Sequence, residues 1–138
     1  MNIKNKSGFT LLEIIIVIII VGVLASLALP RFFSTIEFAR STEASNALGV
    51  IRNSVKRCGM IDNDVSNCGT FDDIDIDDPG SDAAAHFTYE IVITDATTFS
   101  IIAERNTTDG GTQGDTVVLS DSPSGAVRSG TGAFSSIK

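Results

Sequence analysis

The chain has 138 residues, with 17 acidic side chains against 10 basic ones and a formal charge of −7. Beyond an apolar N-terminal stretch, roughly 110 residues remain, which is enough for one small domain and too few for two. The acids lie almost entirely after Ile61. An acidic domain argues against coating DNA, because phosphate binding needs a basic face.

Residues 1–8 are short, polar and basic, with Lys4 and Lys6, and read as a leader. From Phe9 to Leu29 there is a single charge, Glu13. At about 1.5 Å of rise per helical residue, a stretch this long spans a hydrocarbon core of roughly 30 Å. A carboxylate at mid-bilayer costs about 2.5 kcal/mol or more, so Glu13 calls for a partner. The two other readings of this stretch are a secretory signal cut near Ser26-Leu27-Ala28 and an uncleaved signal anchor. The first is opposed by the length of the run and by Glu13. Lys4 and Lys6 compete with Arg31 across the span, which modestly favours an N-terminus on the cytoplasmic side.

Gly22 and Pro30 interrupt the helical pattern. Pro30 lacks an N–H and presses on the carbonyl of Ser26, at a cost near ~3 kcal/mol, and is expected to kink or end the helix. A second, amphipathic helix is expected over 30–58, with Ile36, Ala39, Ala44, Ala47, Leu48, Ile51, Val55 and Cys58 on its apolar face. Gly59 follows cations in the last turn and is a natural stop. Residues 59–86 show no period and read as a connecting loop.

A period of two then begins. Phe87, Tyr89, Ile91 and Ile93 form one face of a strand, and Phe99, Ile101 and Ala103 one face of the next, joined by a turn at Asp95-Ala96-Thr97. Residues 106–115 read as a flexible loop and 116–120 as a third strand. A turn is expected over 121–125, and a short fourth strand from Ala126 to Arg128. The fold class expected is α+β: a long N-terminal helix packed against a three- to four-stranded antiparallel sheet that occupies residues 87–138 with the tail.

The order Gly8-Phe9-Thr10-Leu11-Leu12-Glu13, then an apolar run, then Pro30, closely resembles the start of type IV pilins and of type II secretion pseudopilins. That resemblance implies a set of roles. A prepilin peptidase would cut between Gly8 and Phe9 and methylate the new amine of Phe9. The span 9–29 would stay attached as a transmembrane and filament-core helix, and Glu13 would meet the Phe9 ammonium of a neighbouring copy. Helix loosening on assembly would fall between Gly22 and Pro30, a simple kink being the equal alternative. The implied partners are further copies of the chain, the peptidase and inner-membrane pilus assembly machinery. The implied location is the inner membrane for precursor and subunit pool, and an extracellular pilus for the polymer. Adhesion, twitching motility and DNA uptake are family-level roles. A secretion pseudopilin is the nearer alternative, and a membrane-anchored binding domain the alternative of another class.

Outside that segment, Cys58 and Cys68 form one disulfide if the domain is exported, and stay reduced if it is cytosolic. Zinc and c-type haem are disfavoured, since His86 is the single histidine and no Cys-x-x-Cys occurs. Asp73, Asp75 and Asp77 alternate with Ile74 and Ile76, which describes a solvated edge strand better than a calcium site. The loop Asp109 to Asp115 is a weaker calcium candidate. Arg52, Lys56 and Arg57 read as a salt-bridged helix face, with nucleic-acid contact as the minor alternative. Phe32, Phe33 and Phe38 are expected between subunits or against the sheet, or as an interfacial aromatic belt. No nucleophile or base stands beside His86, so no catalytic residue and no cofactor is expected.

Overall fold

The structure is a computed structural model and describes residues 8–61 and 63–138. The expected leader, apart from Gly8, lies outside the described residues. The chain divides into two compact units, Met1–Thr35 and Ile36–Lys138, and each is taken separately.

One helix, α1 (Leu11–Gly59), carries residues of both units and is the long N-terminal helix expected, its apolar and amphipathic halves continuous through Pro30. Pro30 lies inside it and does not end it. The residues preceding it include good helix formers and no second breaker after Gly22, so loss of one backbone bond is absorbed. In the first unit the apolar side chains from Leu11 to Leu29 are all solvent-facing.

In the second unit, α1 lies on a four-stranded antiparallel sheet with order β1-β2-β3-β4. The strands are β1 (Phe87–Ile93), β2 (Phe99–Arg105), β3 (Thr116–Ser122) and β4 (Gly125–Gly130). The core joins Ala44, Leu48, Ile51 and Val55 of α1 to Phe87, Ile91, Phe99, Ile101, Ala103, Val117 and Leu119 of the sheet. Phe134, from the tail, closes one end with its ring 5.7 Å from that of Phe87. The buried helix face differs from the apolar pattern at two kinds of position. Ser41 and Ser54 are buried, and Ala39 is exposed. Small serines fit against the sheet and the Asp-rich loop because their hydroxyls find acceptors in the Phe38 carbonyl and Asp75.

Gly59 ends α1, for a reason other than the left-handed conformation usual at helix stops. A β-carbon there would come 2.6 Å from Cγ1 of Val65, so the returning chain needs the missing side chain. The disulfide Cys58–Cys68 closes this return, with a Cα–Cα distance of 6.1 Å.

The turn expected over 121–125 is shorter than the sequence suggests. β3 runs to Ser122, which pairs with Gly125, so only Pro123 and Ser124 connect the strands. Gly125 holds φ +123°, a conformation that glycine alone adopts at little cost. Residues 71–76 form turns and bends, not the edge strand expected.

Candidate functional site

The first candidate is the segment from Gly8 to Glu13. Gly8, Phe9 and Thr10 precede the helix in non-helical, exposed backbone, and Phe9 is 80% exposed. The Thr10 carbonyl accepts from the Ile14 N–H at 3.3 Å, and its side-chain oxygen accepts from the Glu13 N–H at 3.2 Å. Thr10 is therefore the N-cap, and Glu13 stands three residues later in the first turn. A carboxylate there interacts favourably with the positive end of the helix. The sequence reading assigned Glu13 and missed the cap, although the spacing Thr-x-x-Glu carries that signal. The Gly8–Phe9 peptide bond sits outside the helix, in exposed backbone.

Two glycines in the first unit, Gly8 and Gly22, stand in open space among the described residues. A β-carbon on either would meet none of them within 4 Å, and Gly22 holds no positive φ. Inside a helix Gly22 costs about 1 kcal/mol relative to alanine.

The second unit holds three polar clusters, each joining α1 to another element. Arg105, the last residue of β2, is fully buried. Its guanidinium donates from Nε to Glu37 at 3.0 Å and from Nη2 to the other Glu37 oxygen at 3.3 Å. It also donates to the carbonyls of His86, Asn106 and Thr108 at 2.8–3.0 Å. The planar fork suits this bidentate pairing. It holds the Glu37 carboxyl below the ordinary carboxylate range, against a smaller opposing effect of burial, with Arg40 adding to the lowering. Gly111 passes close to the guanidinium, where a β-carbon would collide with Arg105.

Beside it, His86 faces two carboxylates, Glu43 at 3.1 Å and Asp109 at 3.0 Å. Asp109 also accepts from Arg40 at 3.3 Å. Asp109 has φ +52°, a conformation aspartate tolerates better than most residues. His86 first, then the nearby arginines, hold the Asp109 carboxyl below its ordinary range. His86 is thus a linker between α1 and the 106–115 loop, a role invisible without knowing its neighbours.

The helix cations are salt-bridged, as expected. Arg52 and Lys56, one turn apart, both reach the buried Asp121 of β3, Lys56 at 3.2 Å. Arg57 grips Asp75 with Nε at 2.9 Å and Nη2 at 2.8 Å. Together with the Ser54 hydroxyl it pulls the Asp75 carboxyl down to about 2. Asp73 instead accepts from the Thr70 N–H and hydroxyl, and Asp78 accepts from the Gly80 N–H. The calcium candidates Asp73 and Asp75 are therefore engaged separately. Among the described residues no group of three His, Cys, Asp or Glu side chains stands close enough to hold a metal ion. Phe38 is exposed and does not pack on the sheet, and Phe32 and Phe33 are exposed as well.

With this geometry in view, comparison with known proteins gives a consistent result. Residues 3–29 match the prokaryotic N-terminal methylation motif. The chain is 38% identical over 52 residues to a type II secretion system core protein G of Aeromonas hydrophila, covering 38% of this chain and 36% of that protein. It is 38% identical over 55 residues to a probable minor fimbrial protein of Dichelobacter nodosus, covering 40% and 35%. It is 32% identical over 53 residues to the type IV major fimbrial protein FimA of the same organism, covering 38% and 34%. The matched region thus spans about a third of the length of these relatives. No solved structure matches the chain significantly.

Over the matched N-terminal region the chain is thus similar to type IV fimbrial proteins and to a type II secretion system core protein. A long N-terminal helix on a four-stranded antiparallel sheet is the pilin architecture, and the apolar half of α1 and the Cys58–Cys68 disulfide accord with it.

Proposed function

We propose that this chain is a non-enzymatic structural subunit of a type IV pilus. In this reading the precursor inserts by the apolar half of α1 and is cut between Gly8 and Phe9. It is methylated on Phe9 and polymerises through that helix into an extracellular filament. Further copies of the chain, a prepilin peptidase and inner-membrane assembly machinery are its partners. The observation that carries the reading is the methylation motif on a helix whose apolar side chains, Leu11 to Leu29, are all unburied while one carboxylate, Glu13, stands in its first turn.

The physical argument concerns that carboxylate. In an apolar filament core an acid must be paired or neutral. Cleavage creates a cation of the required sign on Phe9, one helical turn before Glu13. A subunit displaced along the filament axis would leave the acid unpaired, so the pair sets register. Loosening of α1 between Gly22 and Pro30 during assembly belongs to the same proposal.

A secretion pseudopilin is the second reading, favoured by the similarity to core protein G of Aeromonas hydrophila. Intact mass and N-terminal sequencing of material sheared from cells separate these possibilities. A methylated Phe9 start in a fraction of long filaments is the expected result. The same start without long filaments favours the pseudopilin. A chain beginning at Met1 and confined to membranes overturns both and leaves an anchored domain.

A further inference from the structure

Between α1 and the sheet edge, the second unit has an open groove of about 720 Å³. Asn46, Val50 and Asn53 of α1 form one wall, and Val127 and Arg128 of β4 form the other, with Lys138 beside them. β4 is the edge of the sheet, and from Gly125 to Ser129 it is exposed throughout. Val50 and Val127 leave apolar surface at solvent. Arg128 and Lys138 have no carboxylate partner among the described residues. The groove also takes in Arg52, already paired with Asp121, and no acidic side chain lines it.

The same unit carries the opposite pattern elsewhere. Residues 72–78 hold five aspartates around two isoleucines. Asp75 is tied to Arg57, while Asp72 and Asp77 are exposed and have no cationic partner among the described residues. Ile76, between Asp75 and Asp77, is only partly buried.

The two patches are built on different partners of α1. Arg52 and Lys56 face Asp121 of β3, whereas Ser54 and Arg57 face Asp75. No residue of 72–78 lines the groove of its own molecule, so loop and groove are separate surfaces that can meet between two copies.

We infer that the cationic groove between α1 and β4 receives the acidic loop 72–78 of a second copy of this chain. Arg128 and Lys138 lie opposite the partner's Asp72 and Asp77, and Val50 and Val127 lie against the partner's Ile76. Patch and counter-patch are different surfaces, so the contact is heterologous. Repetition of such a contact generates an open helical filament unless the rotation closes it into a ring. The inference rests on the filament-subunit reading and assigns that polymer a lateral, charge-matched contact.

The test uses charge reversal in the full chain expressed in cells, with sheared filament yield as the readout. R128E with K138E, and separately D72K with D77K, are each expected to lower yield about tenfold, since like charges then face each other. Membrane-pool abundance and an intact Cys58–Cys68 disulfide check that each variant folds. Combining the four substitutions is expected to restore yield, and R128C paired with D77C is expected to cross-link filaments into ladders on oxidation. Normal filaments from either reversal overturn the contact while leaving the filament reading intact. So does loss in the groove variant with no rescue by the loop variant, which would point to another anionic occupant. Absence of filaments from the unsubstituted chain overturns the filament reading and the contact together.

Discussion

Arg105→Met isolates the most buried charge in the second unit. The substitution keeps a long apolar stem on Phe87, whose ring centre lies 5.8 Å from the guanidinium carbon, and removes every donor. The cost follows from what is left behind. Breaking a buried ion pair by removing one partner costs about 3–5 kcal/mol. Here the lower end applies, because Glu37 keeps a bond to Arg40 at 2.8 Å and its side chain is 22% exposed. The His86 and Thr108 carbonyls retain backbone donors in Asn106 and Gly111, which leaves Asn106 O as the main orphan. A loss of about 3 kcal/mol follows. In a unit of roughly 100 residues this lowers Tm by about 10–20 °C. Thermal unfolding of the detergent-solubilised chain, followed by far-ultraviolet circular dichroism, measures it. Arg105→Lys keeps the charge but not the fork, and should recover less than half of the loss. A Tm change below about 3 °C for Arg105→Met would refute the view that this arginine holds the 106–115 loop to α1.

The remaining predictions concern the other charged and covalent ties. Cys58→Ser with Cys68→Ser should cost roughly 2–3 kcal/mol by the chain-entropy argument, measurable by urea unfolding, and native mass spectrometry should find no alkylatable thiol in the unsubstituted chain. The Asp75 carboxyl should titrate near 2 by NMR, and Arg57→Ala should move it up towards the usual value of about 3.9. Because the folded-state value is depressed, this tie contributes fully above the unfolded value and is lost as pH falls from about 4 to about 2. Glu37, depressed chiefly by Arg105, adds to the same acid-side loss. Stability that stays flat on acidification through this window would contradict both pairings. Glu13→Gln should leave membrane insertion intact and reduce filament yield, and unchanged yield would remove the register role from Glu13.

The parts of this fold that were legible in the sequence are those written in local periodicity. The alternation in Phe87 to Ile93 and Phe99 to Arg105 marks two strands because each buries one face. The segment Gly8 to Glu13 was legible because its residue types occur in a fixed order. The rest depends on distant partners. Arg105 reads as an ordinary charged strand end until Glu37, 68 residues earlier, is brought to it. Asp121 was placed in a turn because it heads a run of turn formers, yet Gly125 makes a two-residue connection possible and leaves Asp121 inside β3. His86 seemed isolated because its two carboxylates come from α1 and from a loop. The aspartates 73, 75 and 77 suggested a strand by alternation, but Thr70 and Arg57 draw two of them into turn contacts.

Gly8, Glu13 and Gly22 share a property that bears on protein engineering. Among the described residues nothing fills the space beside either glycine. Replacing Gly22 with alanine would strengthen the isolated helix by about 1 kcal/mol, and replacing Glu13 with leucine would make the span more apolar. An optimisation guided by the stability of the single chain would therefore erase these positions first. If the proposed filament role holds, a redesign aimed at a more robust subunit needs them held fixed from the outset.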